Sequence, residues 1–161
     1  MRAPHALLAT LVTLAAAVTL TSVAAAGPKA AKQQVQIAIL GDTGPGGTFR
    51  LTPLQAGGIK PDSGKTRVAI TGPQVVIRDG QRIEIYNNTW TLIGKRGSLT
   101  IKDRLEWLDT GDAFIGIGKW KVVRGTGEYA TVTGGGGEAQ VGHNHGNGAW
   151  YIRQDGFLTT P

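Results

Sequence analysis

The stretch Gly118–Gly137, GKWKVVRGTGEYATVTGGGG, begins as a strand and then becomes dense in glycine. Two nucleotide-binding readings fail on spacing. A dinucleotide loop needs G-x-G-x-x-G ahead of a helix, but after Gly125 and Gly127 the third glycine position holds Ala130. The other phosphate loop would end at PDSGKT, Pro61–Thr66. There Ile59 stands where the first glycine belongs, and a β-like run follows instead of a helix. What remains is a strand, a tight glycine turn, a second strand and a second glycine turn at Gly134–Gly137.

The neighbouring sequence extends this reading. Ser98–Leu108, SLTIKDRLEWL, alternates with period two: Leu99, Ile101, Leu105 and Trp107 share one face, and Thr100, Lys102, Arg104 and Glu106 the other. Ala113–Val123 places Phe114, Gly116, Gly118 and Trp120 on one face. Gln34–Leu40 alternates too, and Asp79-Gly80 between two β runs is a hairpin signal. No helical periodicity appears after the first 26 residues. Glycine accounts for 25 of 161 residues, well above the average of ~7%. Glycine inside strands, as in Phe114–Gly118, suggests the bends and bulges that close a sheet. The expectation is an all-β fold, an antiparallel barrel of about eight strands rather than a two-sheet sandwich.

The N-terminus fits a secretory signal peptide: Arg2, an apolar run from Ala6 to about Val18, then small residues ending in Ala24-Ala25-Ala26. The expected organisation is a signal peptide at 1–26, a polar lead-in at 27–34 and a barrel domain at 35–161. The protein is thus expected outside the cytoplasm through a Sec-type route, with no stable membrane span once the signal is removed. The chain has no cysteine, so the core must hold without disulfides. Its formal net charge of +6 is spread along the sequence in pairs such as Lys95-Arg96 and Lys119/Lys121. That pattern implies solubility and weak attraction to anionic polymers, and it lacks the clustered stripe of a nucleic-acid site.

Asp103 interrupts the apolar face of its strand and is the most informative polar residue. A buried carboxylate must be paired, hydrogen-bonded or shifted in pKa. In a lumen it could serve as an acid/base or a polar handle. At a slipped alternation it would instead face water or pair with Arg104 or Arg124. Trp107, Phe114, Trp120 and Tyr129 are the candidate walls of a ligand-binding lumen. His143 and His145 would point the same way on a strand, as two metal ligands do, but no further ligands are marked. No metal or other cofactor is assigned. No nucleophile constellation is present.

GSLTIKDRLEWL, GIGKWKVVRGTGEYATVTGGG and a final DGFL together resemble the allene oxide cyclase barrel-like proteins, which share a fold with plant dirigent proteins. The pattern is carried by Trp120, Val122, Gly125, Thr126, Gly127, Tyr129, Ala130, Gly134 and Gly136. The resemblance implies an eight-stranded barrel with a ligand-sized lumen, frequent trimers, and either binding or cofactor-independent cyclisation or coupling guidance. The cyclases' lumen constellation includes a cysteine, which this chain lacks, so their catalytic pattern does not carry over. The functional expectation is a secreted barrel that binds a small apolar or aromatic molecule. The alternatives are a cofactor-independent isomerase, cyclase or coupling guide, and a structural or surface protein whose barrel is filled.

Overall fold

The computed structural model describes residues 30–41, 46–111, 113–143 and 149–161. Eight antiparallel strands form one closed barrel, each strand paired with its neighbours in chain order and β1 closing onto β8. The strands are β1 (Ala31–Gly41), β2 (Gly46–Pro53), β3 (Asp62–Arg78), β4 (Gln81–Gly94), β5 (Ser98–Asp109), β6 (Ala113–Gly125), β7 (Thr133–His143) and β8 (Trp150–Thr160). A short 3₁₀ turn, Gly127–Tyr129, links β6 to β7. Closure satisfies the backbone groups of a sheet without leaving open edges. The expected barrel is therefore present, and its connections are all those of a meander.

The alternation read from β5 holds from Ile101 to Leu105; Thr100, expected on the outer face, is buried where the register shifts between Thr100 and Ile101. Leu99, Ile101, Asp103 and Leu105 are buried while Lys102 and Arg104 are exposed. Val35, Ile37 and Ile39 of β1, Phe49 and Leu51 of β2, and Ile152 and Leu158 of β8 complete the core. β1 begins at Ala31, inside the stretch expected as a lead-in, because Ala31 to Gln34 pair with β8. The Asp79-Gly80 hairpin is also present. Both residues have positive φ, 52° and 76°, which matches the right-handed twist of the flanking strands.

One end of the barrel is sealed. Ile59, Val132 and Tyr129 are buried there. Gln33 fixes the β2–β3 connection, donating from Nε2 to the Gln55 and Ile59 carbonyls and accepting from the Ile59 N–H. Asp62 accepts from the backbone N–H groups of Ser63, Lys95 and Arg96 and from the Tyr129 hydroxyl at 2.9 Å. Burial opposes the charge on Asp62, but these donors outweigh it and hold the carboxyl below its ordinary range.

Two sequence expectations about glycine are corrected. Gly134–Gly137 is not a turn: these residues lie within β7, and the turn falls earlier, at the 3₁₀ segment. The glycines of Phe114–Gly118 do not mark bulges either. The irregularities of register fall at Thr71/Gln74 and Thr100/Ile101. The physical reason is space. Gly136 and Gly156 face each other across β7 and β8. A Cβ on Gly156 would stand 2.8 Å from Cζ2 of Trp120, and one on Gly136 would strike the Asp155 carbonyl. Trp120 on β6 fills the volume that β7 and β8 leave empty. Gly116 lies beneath Trp107 in the same way, where a Cβ would stand 2.7 Å from Cδ1 of the indole.

A side chain at Gly136 should therefore be costly, whereas Gly137, with nothing near its Cβ direction, should tolerate one. We expect Gly136→Ala to destabilise the barrel by about 1–3 kcal/mol. Gly137→Ala should be neutral, or stabilising by about 0.4–1 kcal/mol through the unfolded chain. Urea denaturation of both variants checks this pair of outcomes.

Candidate functional site

The interior beyond the packed core holds a polar layer. Asp103 (β5), Glu138 (β7), Gln154 (β8) and Asn88 (β4) all point inward and are at most 6% exposed. Asp103 Oδ2 accepts from Trp90 Nε1 at 2.6 Å, and Oδ1 accepts from the Asn88 backbone N–H at 3.2 Å. Glu138 Oε2 accepts from Gln154 Nε2 at 3.0 Å. Its Oε1 has no hydrogen-bond partner among the described residues, and the two carboxyl groups are close enough to act on each other's ionisation.

Two buried carboxyl groups this close do not both ionise, so one carries a proton. Burial, and then the charge on Asp103, raise Glu138 to about 8. Burial also raises Asp103, although the N–H donors of Trp90 and Asn88 act in the opposite sense. Of the two, Glu138 is therefore the one that stays neutral beside an Asp103 carboxylate. Chemically this is a proton held ready in an apolar setting.

Next to this layer is a cavity of about 210 Å³ lined by Val68, Ile70, Tyr86, Asn88, Trp90, Trp107, Phe114, Gln140 and Trp150. Its wall is aromatic. Trp107 stacks on Phe114 with centroids 4.1 Å apart and meets Tyr86 at 4.6 Å, while Trp90 meets Trp150 at 5.5 Å. The cavity lies opposite the sealed end, where β3 runs on past β2 and leaves Ile70 exposed. Three buried polar atoms in its wall have no partner among the described residues: Asn88 Oδ1, Gln140 Oε1 and Trp107 Nε1. Larger hollows, of about 630 and 730 Å³, are surface grooves along β2 and β3; the only aromatic residue bordering them among the described residues is Phe49, whose side chain is buried in the core.

The sequence candidates separate on this map. Trp107 and Phe114 line the cavity. Trp120 is part of the packed core, its Nε1 directed at the Asp155 carbonyl at 3.4 Å. Tyr129 lies in the sealed end, bonded to Asp62. Asp103 faces the lumen but is screened from the cavity by Trp90, whose ring lines the cavity while its N–H reaches the carboxylate. The side chains of His143 and His145 lie outside the described residues, and no group of three metal-binding side chains occurs among those that are described. Sequence reasoning missed Glu138, Gln140 and Gln154. The alternation of Glu138, Gln140 and Gly142 along β7 was the available signal, but the glycine run read as a turn concealed the strand.

The chain matches no protein-family model, no curated protein and no solved structure.

The proton on Glu138 makes stability depend on pH. In the unfolded chain Glu138 ionises near its ordinary value of 4.5; in the fold it stays protonated to about 8. Between these values the folded state binds the extra proton, so this pair's contribution is largest below about pH 4.5 and is lost as pH rises towards 8. Glu138→Gln keeps the hydrogen-bond geometry and removes the titration. Urea denaturation across this range should show a falling stability for the native protein and a flatter profile for the variant.

Proposed function

We propose that the protein is an exported small-molecule-binding barrel, related to the allene oxide cyclase barrel-like proteins, with residues 1–26 as its export signal. Its ligand is a neutral single-ring molecule, aromatic or alicyclic, that carries a hydroxyl or similar group. The observation that supports this most is the aromatic cavity with three unpartnered polar atoms in its wall. A cavity of ~150 Å³ with apolar walls accepts benzene, so about 210 Å³ suits one substituted ring. Asn88 Oδ1 and Gln140 Oε1 would accept from the ligand, and the Trp107 N–H would donate to it. Unmet buried polar groups cost ~1–3 kcal/mol each, which a ligand hydroxyl would recover. No charged side chain among the described residues lines the cavity, so a charged ligand would lose its hydration without compensation from them.

Carriage fits this site better than catalysis. The carboxyl pair that could move a proton is separated from the cavity by Trp90. A filled barrel fits less well still, because the cavity is bounded by large rings and not by packed aliphatic side chains. The test is thermal shift and tryptophan fluorescence with cresols, benzyl alcohol, cyclohexanol and long-chain fatty alcohols. Single-ring alcohols should stabilise the protein and perturb its fluorescence, and Trp107→Ala should weaken binding at least tenfold. If no single-ring compound stabilises it, or if Trp107→Ala and Phe114→Ala bind as the native protein does, the reading fails.

A further inference from the structure

The positive charges that look scattered in the sequence converge on the outside of the barrel. Register places Lys102 directly opposite Lys121, and Arg104 directly opposite Lys119, across β5 and β6. The two pairs occupy successive outward positions, so four cations stand at the corners of a rectangle. The sides are about 5 Å across the strands and about 7 Å along them. Like charges directly opposite one another destabilise a sheet. Arg104 is bonded to Glu106, but Lys102, Lys119 and Lys121 have no ion pair among the described residues.

The surface around them is shaped as a groove of about 490 Å³. Thr71, Asn87 and Thr89 from β3 and β4 contribute to its wall beside the four cations. Asp103 and Trp120 also border it, but their side chains are buried in the interior, so they present backbone to the groove floor. On the far side, β7 faces Lys119 and Lys121 with Gly137 and Gly135. No side chain there competes for the charges, and the space over Gly137 is open.

We propose that this groove binds a linear polyanion bearing phosphate or sulfate groups. Each opposed pair takes one tetrahedral oxyanion between its two cations, and the spacing along the strands takes the next group on the same chain. Hydroxyl and amide donors of Thr71, Asn87 and Thr89 complete the coordination at one margin. Binding a chain of such groups removes the cross-strand repulsion that the empty groove retains. The site is separate from the aromatic cavity and does not depend on it.

The test is calorimetric titration at about 50 mM NaCl with three probes: inorganic phosphate, a linear inorganic polyphosphate and dextran sulfate. The polymers should bind at least tenfold more tightly than inorganic phosphate, and the stronger of the two identifies the oxyanion preferred. Lys102→Gln/Lys121→Gln should weaken polymer binding at least tenfold. Its salt dependence should fall by about 1.4 in the slope of log affinity against log salt, because each of the two lysines that no longer neutralises an oxyanion removes ~0.7. Lys65→Gln/Lys95→Gln removes the same net charge elsewhere and should change affinity less than about twofold. Equal losses in the two double variants would overturn the proposal, as would absence of polymer binding by the native protein. Circular dichroism confirms that each variant is folded, and retained binding of a single-ring alcohol in the cavity separates this outcome from the fate of the cavity reading.

Discussion

The Asp103 carboxylate lies inside a lumen whose core includes Val35, Ile37, Ile39, Leu99, Ile101 and Ile152. A charge in that setting is tolerated only when its lone pairs are met. The Trp90 indole N–H and the Asn88 backbone N–H meet them, a proton on Glu138 removes the second charge, and Gln154 in turn steadies Glu138. These groups come from β4, β7 and β8, so the layer around one side chain on β5 spans opposite sides of the barrel. The layer also divides the interior. On one side lies close-packed aliphatic core ending in the Asp62–Tyr129 plug; on the other lies a cavity walled by aromatic rings.

The rings and the glycines are two parts of the same packing solution. Trp120 lies over Gly156, Trp107 over Gly116, Phe114 over Gly142 and Trp150 over Gly41. A narrow barrel has little room for a ring opposite a full side chain, so each of these four rings is matched by a position without one. The glycine content of the chain thus serves close packing in the packed half of the lumen. In the cavity half it lets the rings lie back against the wall and leave room between them.

Much of the fold was legible because alternation is a local property. Ser98–Leu108 declared its inward face, and Asp79-Gly80 declared its turn. The strand count followed from the spacing of β runs. What was not legible depended on pairing between distant strands. Gly134–Gly137 reads as a turn until β6 and β8 are placed beside it with Trp120 between them. Tyr129 reads as a lumen residue until Asp62, far away in sequence, is seen to take its hydroxyl. Trp107 and Phe114 were identifiable as cavity residues from their shared periodicity, while Asp103 was identifiable as buried but not its partner Glu138. The cations of β5 and β6 looked dispersed for the same reason: register, not sequence proximity, brings Lys102 to Lys121.

A proton on Glu138, beside the Asp103 carboxylate, is what allows two acids to occupy the lumen, and infrared spectroscopy observes it directly. At pH 7 the native protein should show the carbonyl band of a protonated, hydrogen-bonded carboxylic acid, and that band should disappear in Glu138→Gln. A spectrum at pH 7 in which every carboxyl group is ionised, with no difference between the native protein and the variant in that region, would contradict the account.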